Sequence, residues 1–188
     1  MSTTKVSICN EALNMCGASS ITSFDDEDDN ARRCAAIYDQ TRKSLIRMHP
    51  WSCCKKREVL SPTTAHPTFG YQNAFPMPSD FIRLLNAGTK DFDIENNHIL
   101  ANTDSIQLVY IYDNKNEQTW DALLAEAMAL YMCSKIAKPI TGSQAEGDSA
   151  YQKLMNLLKQ ARAINGQERP NDSFFGDEEA SLITVRYQ

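Results

Sequence analysis

The sequence predicts an α+β fold in which helices flank a β-rich middle section. Two stretches with helical periodicity lie before residue 50 and two more follow residue 116. Between them the helical period gives way to prolines, scattered aromatic residues and turn residues. Because amphipathic helices bury their apolar faces against one another, we expect a four-helix bundle with an inserted antiparallel β subdomain and an extended C-terminal tail.

Residues 1–50 are predicted to form the first two helices. Apolar side chains recur every three or four positions in residues 4–16, and Gly17 follows as a stop signal. The second helix follows an acidic run and ends at His49-Pro50, since proline disfavours a helical residue before it. The two apolar stripes are Val6, Cys9, Ala12, Leu13 and Cys16 in the first helix, and Cys34, Tyr38, Thr41, Leu45 and Met48 in the second.

Residues 51–116 are predicted to form the inserted β subdomain. Its clearest strand is 106–112, whose alternating apolar residues share one face: Ile106, Leu108, Tyr110 and Tyr112. The pair Asn96-Asn97 separates the apolar segments 92–94 and 99–100, which is typical of a hairpin turn.

Residues 117–166 are predicted to form the last two helices, and 167–188 the tail. The third helix is expected to stop near Lys138-Pro139, and the fourth to start after Gly142 and end at Asn165-Gly166. Their apolar faces are Trp120, Leu123, Leu124, Ala127, Met128 and Tyr131 in the third helix, and Tyr151, Leu154, Leu158 and Ala161 in the fourth. The tail is first acidic and then β-prone.

Composition limits the classes of protein to consider. With 188 residues and 42% apolar content, the chain is long enough for one compact core. Its net charge of −5 argues against a surface built for general phosphate binding. The six cysteines, without a basic-then-apolar leader, predict reduced thiols of a protein made in a cytosol. No apolar run approaches the ~20 residues that span a bilayer, so we expect a soluble protein without a membrane partner.

Two clusters have residue types that bind metals. The acidic run 25–29 has carboxylates suited to calcium, but an EF-hand loop starting there would need glycine at Asn30 and glutamate at Ala36, so we interpret the run as a helix cap. His49, Cys53 and Cys54 have thiol and imidazole ligands suited to zinc, but they lack a C-x-x-C pair and a second ligand pair. We predict no metal and no cofactor.

The sequence also gives little reason to expect catalysis. There is no G-x-S-x-G elbow and no glycine-rich phosphate loop, and His66 and His98 are expected to have surface roles. Glycoside cleavage needs two acids at a suitable separation, and Glu117 with Asp121 or Glu126 is one such pair among many. We therefore predict that the chain is not an enzyme, with a lytic, cell-wall-active protein as the alternative.

The positive cluster of note is Lys55, Lys56 and Arg57, which follows Arg42, Lys43 and Arg47 in the sequence. Such a cluster can contact DNA passing through a channel. More often such a cluster is a solvated strand end or an intersubunit salt-bridge surface, and the acidic balance elsewhere favours this second interpretation.

The order of these features resembles the tail tubular protein A family of bacteriophage head-to-tail adaptors. Its members typically have a helix ending in a glycine-containing turn, an acidic segment, an alanine-rich helix with an aromatic residue at its end, a β region entered through "P-x-D-[FY]", and two closing helices. The matching residues cover most of 4–166: the segments 18–24 and 30–34, Tyr38, Arg42, His49-Pro50-Trp51, and Phe75 to Arg83 with its Pro78-Ser79-Asp80-Phe81.

The resemblance implies a subunit of a dodecameric ring in the virion. The ring is docked between the portal protein and the tail nozzle or a subunit like tail tubular protein B. Such a ring extends the channel, where DNA contact is transient and non-specific. The tail matches no family motif, but aromatic and β-prone residues in it are candidate portal or intersubunit contacts, unless the segment is a disordered terminus. These candidates are Phe174, Phe175, Leu182, Ile183, Val185 and Tyr187. A cytosolic regulatory binding module is a third hypothesis.

Overall fold

The computed structural model describes residues 3–168, which form four α-helices and two three-stranded antiparallel sheets. The predicted α+β class is therefore confirmed. In chain order the elements are α1 (Lys5–Met15), α2 (Asp29–Met48), β1 (Lys55–Leu60), β2 (Asn73–Pro76), β3 (Phe81–Asn86), β4 (Phe92–Glu95), β5 (His98–Ala101), β6 (Ile106–Tyr112), α3 (Ala122–Thr141) and α4 (Ala145–Glu168).

Local hydrogen bonds explain where the first two helices begin and end. The Thr4 hydroxyl accepts a hydrogen bond from the Ser7 N–H at the start of α1. After α1, Gly17 has a φ of +69°, and the Ala18 N–H returns to the Leu13 carbonyl. The Asp28 carboxylate caps α2 by accepting from the Asn30 N–H, which confirms the interpretation of the acidic run as a helix cap.

The helices share one apolar core centred on α3. This helix contacts α1, α2 and α4, and it is apolar around much of its circumference because it is covered on several sides. The buried residues that α3 contributes are Leu124, Ala127, Met128, Ala129, Leu130, Met132, Cys133, Ile136 and Ala137.

The strands form two sheets above a second, smaller core. The first sheet has the order β1-β6-β3 and the second has the order β2-β5-β4. Strand β6 belongs to both cores: Ile106, Leu108 and Tyr110 face the smaller core, whereas Ile111 packs into the helical core. The predicted strand 106–112 and the Asn96-Asn97 hairpin are confirmed, and both asparagines have positive φ (43° and 62°), as a type I′ turn requires.

Three predictions about the last two helices were wrong in detail. Helix α3 continues through Pro139 to Thr141 and ends at Gly142, whose left-handed backbone lets its N–H bond the Lys138 carbonyl. Helix α4 passes Asn165-Gly166 and reaches Glu168, since an interior glycine costs only about 1 kcal/mol and does not by itself end a helix. Tyr151 is 40% exposed at the rim, beside the ring of Tyr131, and Ala150 is buried instead.

None of the helices described between residues 3 and 168 combines the length and the apolar character needed to cross a membrane.

Candidate interaction surfaces

The predicted basic cluster lies on β1, at the edge of the first sheet. Successive side chains of a strand point to opposite faces, so Lys55 and Arg57 share one face and Lys56 lies on the other. The Lys56 ammonium pairs with the Asp80 carboxylate, which raises the pKa of Lys56, and it lies 4.4 Å from the centroid of the Tyr112 ring. In residues 3–168, neither the half-buried Lys55 nor the exposed Arg57 makes an ion pair.

Arg42 does not extend this surface cluster, although the sequence grouped it there. Its guanidinium is buried and binds Asp113 through two bonds, Nε to Oδ1 at 2.8 Å and Nη2 to Oδ2 at 3.1 Å. A second carboxylate, that of Asp39, is exposed and also accepts from Arg42. Arg47 is an exposed residue that donates to the Ile82 carbonyl of β3. These arginines join α2 to the strands.

The Arg42–Asp113 pair is the centre of a polar junction between the helices and the first sheet. Asp113 directly follows β6, and its N–H donates to the Asp80 carbonyl at 2.8 Å. Nearby, the Tyr38 hydroxyl donates to Glu117 at 3.1 Å, and burial together with the Glu117 charge raises the pKa of Tyr38. A buried pair with two parallel hydrogen bonds holds α2 in one orientation against β6.

The next residue, Asn114, extends the junction to the start of α3. Its side-chain amide donates to the Cys53 carbonyl and to the Thr119 hydroxyl, each at 2.9 Å. Its own carbonyl accepts from the Trp120 indole N–H at 3.2 Å. The segment at Cys53 and the segment from Asn114 to Trp120, which are distant in sequence, therefore meet at one buried asparagine.

The carboxylates weighed for glycoside cleavage have separate structural surroundings. Glu117 accepts the hydrogen bond from Tyr38, and Asp121 accepts from the Leu123 N–H at 2.8 Å as the cap of α3. Glu126 is exposed on α3. Partial burial of Glu11 raises the pKa of Glu11, and the nearby charge of Glu126 raises it further. Within the described residues, Glu117 and Asp121 are thus each engaged by a different partner.

Two carboxylates of the acidic run accept hydrogen bonds from neighbouring backbone N–H groups. Asp26 accepts from the N–H groups of Thr22 and Ser23 at 2.7 and 3.0 Å, and these bonds lower its pKa. Asp28 caps α2. Within residues 3–168, no group of three or more histidine, cysteine or acidic side chains is arranged to hold a metal ion.

The residues weighed for zinc separate into a cavity and the core. His49 and Cys53 line a cavity of about 280 Å³, together with Trp51, Asp121 and the α4 residue Ile164. Cys54 is fully buried in the helical core. The two sulfur atoms are 3.9 Å apart, and the interaction with Cys54 lowers the pKa of the half-buried Cys53 thiol to about 7. Burial lowers the pKa of His49.

The histidines predicted to have surface roles both lie at one cleft of the β region. His66 and His98 line it with Phe69, Asp93 and Glu95, and its volume is about 450 Å³. Each imidazole Nδ1 contacts a local carbonyl, that of Gln72 for His66 and that of Asn96 for His98. Phe69 is 88% exposed, so the rim of the cleft presents an aromatic ring to solvent.

The six candidate contact residues of the tail, from Phe174 to Tyr187, lie outside the described residues. The buried junction was missed by sequence reasoning because Arg42 looks like one of several helical cations, and its partner Asp113 is 71 residues away. One available signal was the polar pair Asp113-Asn114 at the end of an otherwise apolar strand.

No known protein-family model matches the chain, and a search of curated proteins finds no matching relative.

Proposed function

We propose that the protein is a structural head-to-tail adaptor of a bacteriophage, and not an enzyme. Its subunits would form a ring between the portal protein and the tail nozzle and would extend the DNA channel there. The observation that carries this proposal is the element order, in which two helices, six strands and two further helices follow one another as the family resemblance implies.

The helices act in this proposal as a four-helix bundle that carries the β region as an inserted subdomain, with the residues after α4 as an extended tail. The shared core of α1 to α4 and the separate core beneath the sheets support this arrangement. The Arg42–Asp113 pair supports it further, because a buried ion pair between bundle and sheet keeps the two parts in a fixed relation. A ring subunit needs that rigidity to present the same surfaces to each neighbour.

The proposed partners are further copies of the chain, the portal protein and a nozzle subunit. The copies of the chain would form a dodecameric ring. Contact with DNA in the channel would be transient and non-specific, because the net charge of −5 leaves only local positive surface such as that of Lys55 and Arg57. The place of the mature protein would be the virion, at the interface of head and tail.

Co-sedimentation with the cognate portal tests this function. The full-length protein should migrate with purified portal rings on a density gradient, and should remain at the top of the gradient without them. An unrelated ring protein of similar size is the control. Absence of binding to the portal, with binding to a specific host protein, would instead identify a regulatory binding module. Clearing of peptidoglycan by the purified protein would identify the lytic alternative.

The tail is proposed to anchor the ring to its neighbours, through Phe174 and Phe175 or through its β-prone end. Deletion of residues 168–188 should leave the fold intact, because it keeps every α4 residue described as buried, of which Ala161 is the last among residues 145–164. The truncated chain should keep its circular dichroism spectrum but bind the portal more weakly in the same gradient. Unchanged assembly by this chain would disprove the role of the tail.

A further inference from the structure

Each of the two sheets has one outer strand with three or more consecutive exposed side chains. Strand β1 is an outer strand of the first sheet and β4 is an outer strand of the second. On β1 the residues from Lys56 to Val59 are exposed, and on β4 those from Asp93 to Glu95 are exposed. An outer strand has unpaired backbone N–H and carbonyl groups along its free side, which can pair with another strand.

The two outer strands carry charges of opposite sign. Lys55 and Arg57 share one face of β1 and make no ion pair within the described part of the chain. Asp93 and Glu95 share one face of β4 at the same two-residue spacing. Each strand also exposes an aliphatic side chain, Val59 at 68% and Ile94 at 49%. Charged residues on an outer strand normally discourage pairing with another strand. When two outer strands carry opposite charges, each repels only a strand of the same charge.

We propose that β1 of one copy pairs with β4 of the next copy, which joins the first sheet of one subunit to the second sheet of its neighbour. In the antiparallel register that matches the charges, Lys55 lies opposite Glu95, Arg57 opposite Asp93 and Lys56 opposite Ile94. Residues directly opposite each other in such a pair have Cβ atoms about 5 Å apart, close enough for both ion pairs to form. We choose the antiparallel direction because antiparallel pairs outnumber parallel ones about two- to threefold.

This contact is head-to-tail, because the two strands that meet are different. Two β1 strands paired about Lys56 would place Lys55 opposite Arg57, and two β4 strands paired about Ile94 would place Asp93 opposite Glu95. Both arrangements are repulsive. A head-to-tail contact leaves a free β1 and a free β4 at the two ends of every chain of subunits. It therefore repeats from subunit to subunit, and it gives a ring where the rotation between neighbouring subunits closes. The inference thus rests on the proposed ring and names the surfaces that would form it.

Reversal of charge on one strand and then on both tests the pairing. The variants are R57E, D93R and the double variant R57E/D93R of the full-length protein, with K153E on the exposed surface of α4 as a control of the same charge change as R57E. Self-association is measured by sedimentation velocity at low ionic strength, up to about 1 mM, where a weak interface is populated. The wild-type chain should associate in a concentration-dependent way, and K153E should behave like it.

Each single reversal should weaken self-association about tenfold, since an attractive cross-strand pair becomes a repulsive one. The double variant should regain the wild-type association, and so should an equimolar mixture of R57E with D93R. A wild-type chain that stays monomeric throughout, or a double variant weaker than either single variant, would overturn the pairing. Portal binding is scored separately, so rescue of self-association without portal binding would contradict the proposed function and leave the pairing intact.

Discussion

Removal of Asp113 should destabilise the protein more than removal of any exposed carboxylate. The side chains of Arg42 and Asp113 are 4% and 5% exposed, so the substitution Asp113→Ala leaves a guanidinium buried without its main partner. Breaking such a pair costs about 3–5 kcal/mol. The remaining partner, Asp39, has a side chain 79% exposed, and solvent screens its interaction with Arg42.

The assay is urea unfolding of the full-length variants, followed by circular dichroism. The midpoint should fall without a change in slope, and the melting temperature should fall on the order of 10 °C for a chain of this length. The matched control Asp39→Ala should cost no more than about 1 kcal/mol, since it removes an exposed partner.

A double substitution separates the lost interaction from the buried charge that remains. Arg42→Met with Asp113→Leu removes both charges and keeps apolar volume, and it should be clearly more stable than Asp113→Ala alone. The reasoning would be refuted if Asp113→Ala cost no more than Asp39→Ala, or if the double variant were the least stable of the set.

Two further predictions follow from the local structure. Because the pKa of Cys53 is lowered to about 7, about half of this thiol is thiolate at pH 7. Iodoacetamide should therefore alkylate Cys53 before the buried cysteines, and the reaction should slow as the pH falls below 7. Peptide mapping that finds Cys133 labelled as fast as Cys53 would contradict this prediction. Because Asn97 has a φ of 62°, Asn97→Val should lower the free energy of unfolding in urea by about 1–2 kcal/mol, whereas Asn97→Gly should be tolerated. Equal stability of the two variants would contradict a left-handed conformation at this turn.

Features set by neighbouring residues were predictable from the sequence. The α1 and α2 boundaries depend on caps and on the proline after His49, and the β4–β5 hairpin depends on two asparagines that tolerate positive φ. The predicted end of α3 was wrong because it relied on Pro139 as the stop signal. Pro139 lies in the last turn of α3, where the fold tolerates it, and the helix ends at a glycine that adopts the left-handed conformation.

Features set by distant residues could not be predicted in the same way. The pairing of β1 with β6 joins segments about 50 residues apart, and no local pattern states which strands become neighbours. The same holds for Arg42, whose burial depends on a carboxylate at the end of β6. The basic cluster was predicted as residues, but its place on an outer strand, with Lys56 already paired to Asp80, came only from the fold.

The most direct test of the central claim is negative-stain imaging of the purified protein alone and mixed with its cognate portal. The adaptor proposal predicts that ring density docked on the portal appears in the mixture, and that the protein alone at the low concentrations used for imaging shows no such rings. If no ring and no portal complex formed under any condition, the proposal that this chain is a head-to-tail adaptor would be contradicted.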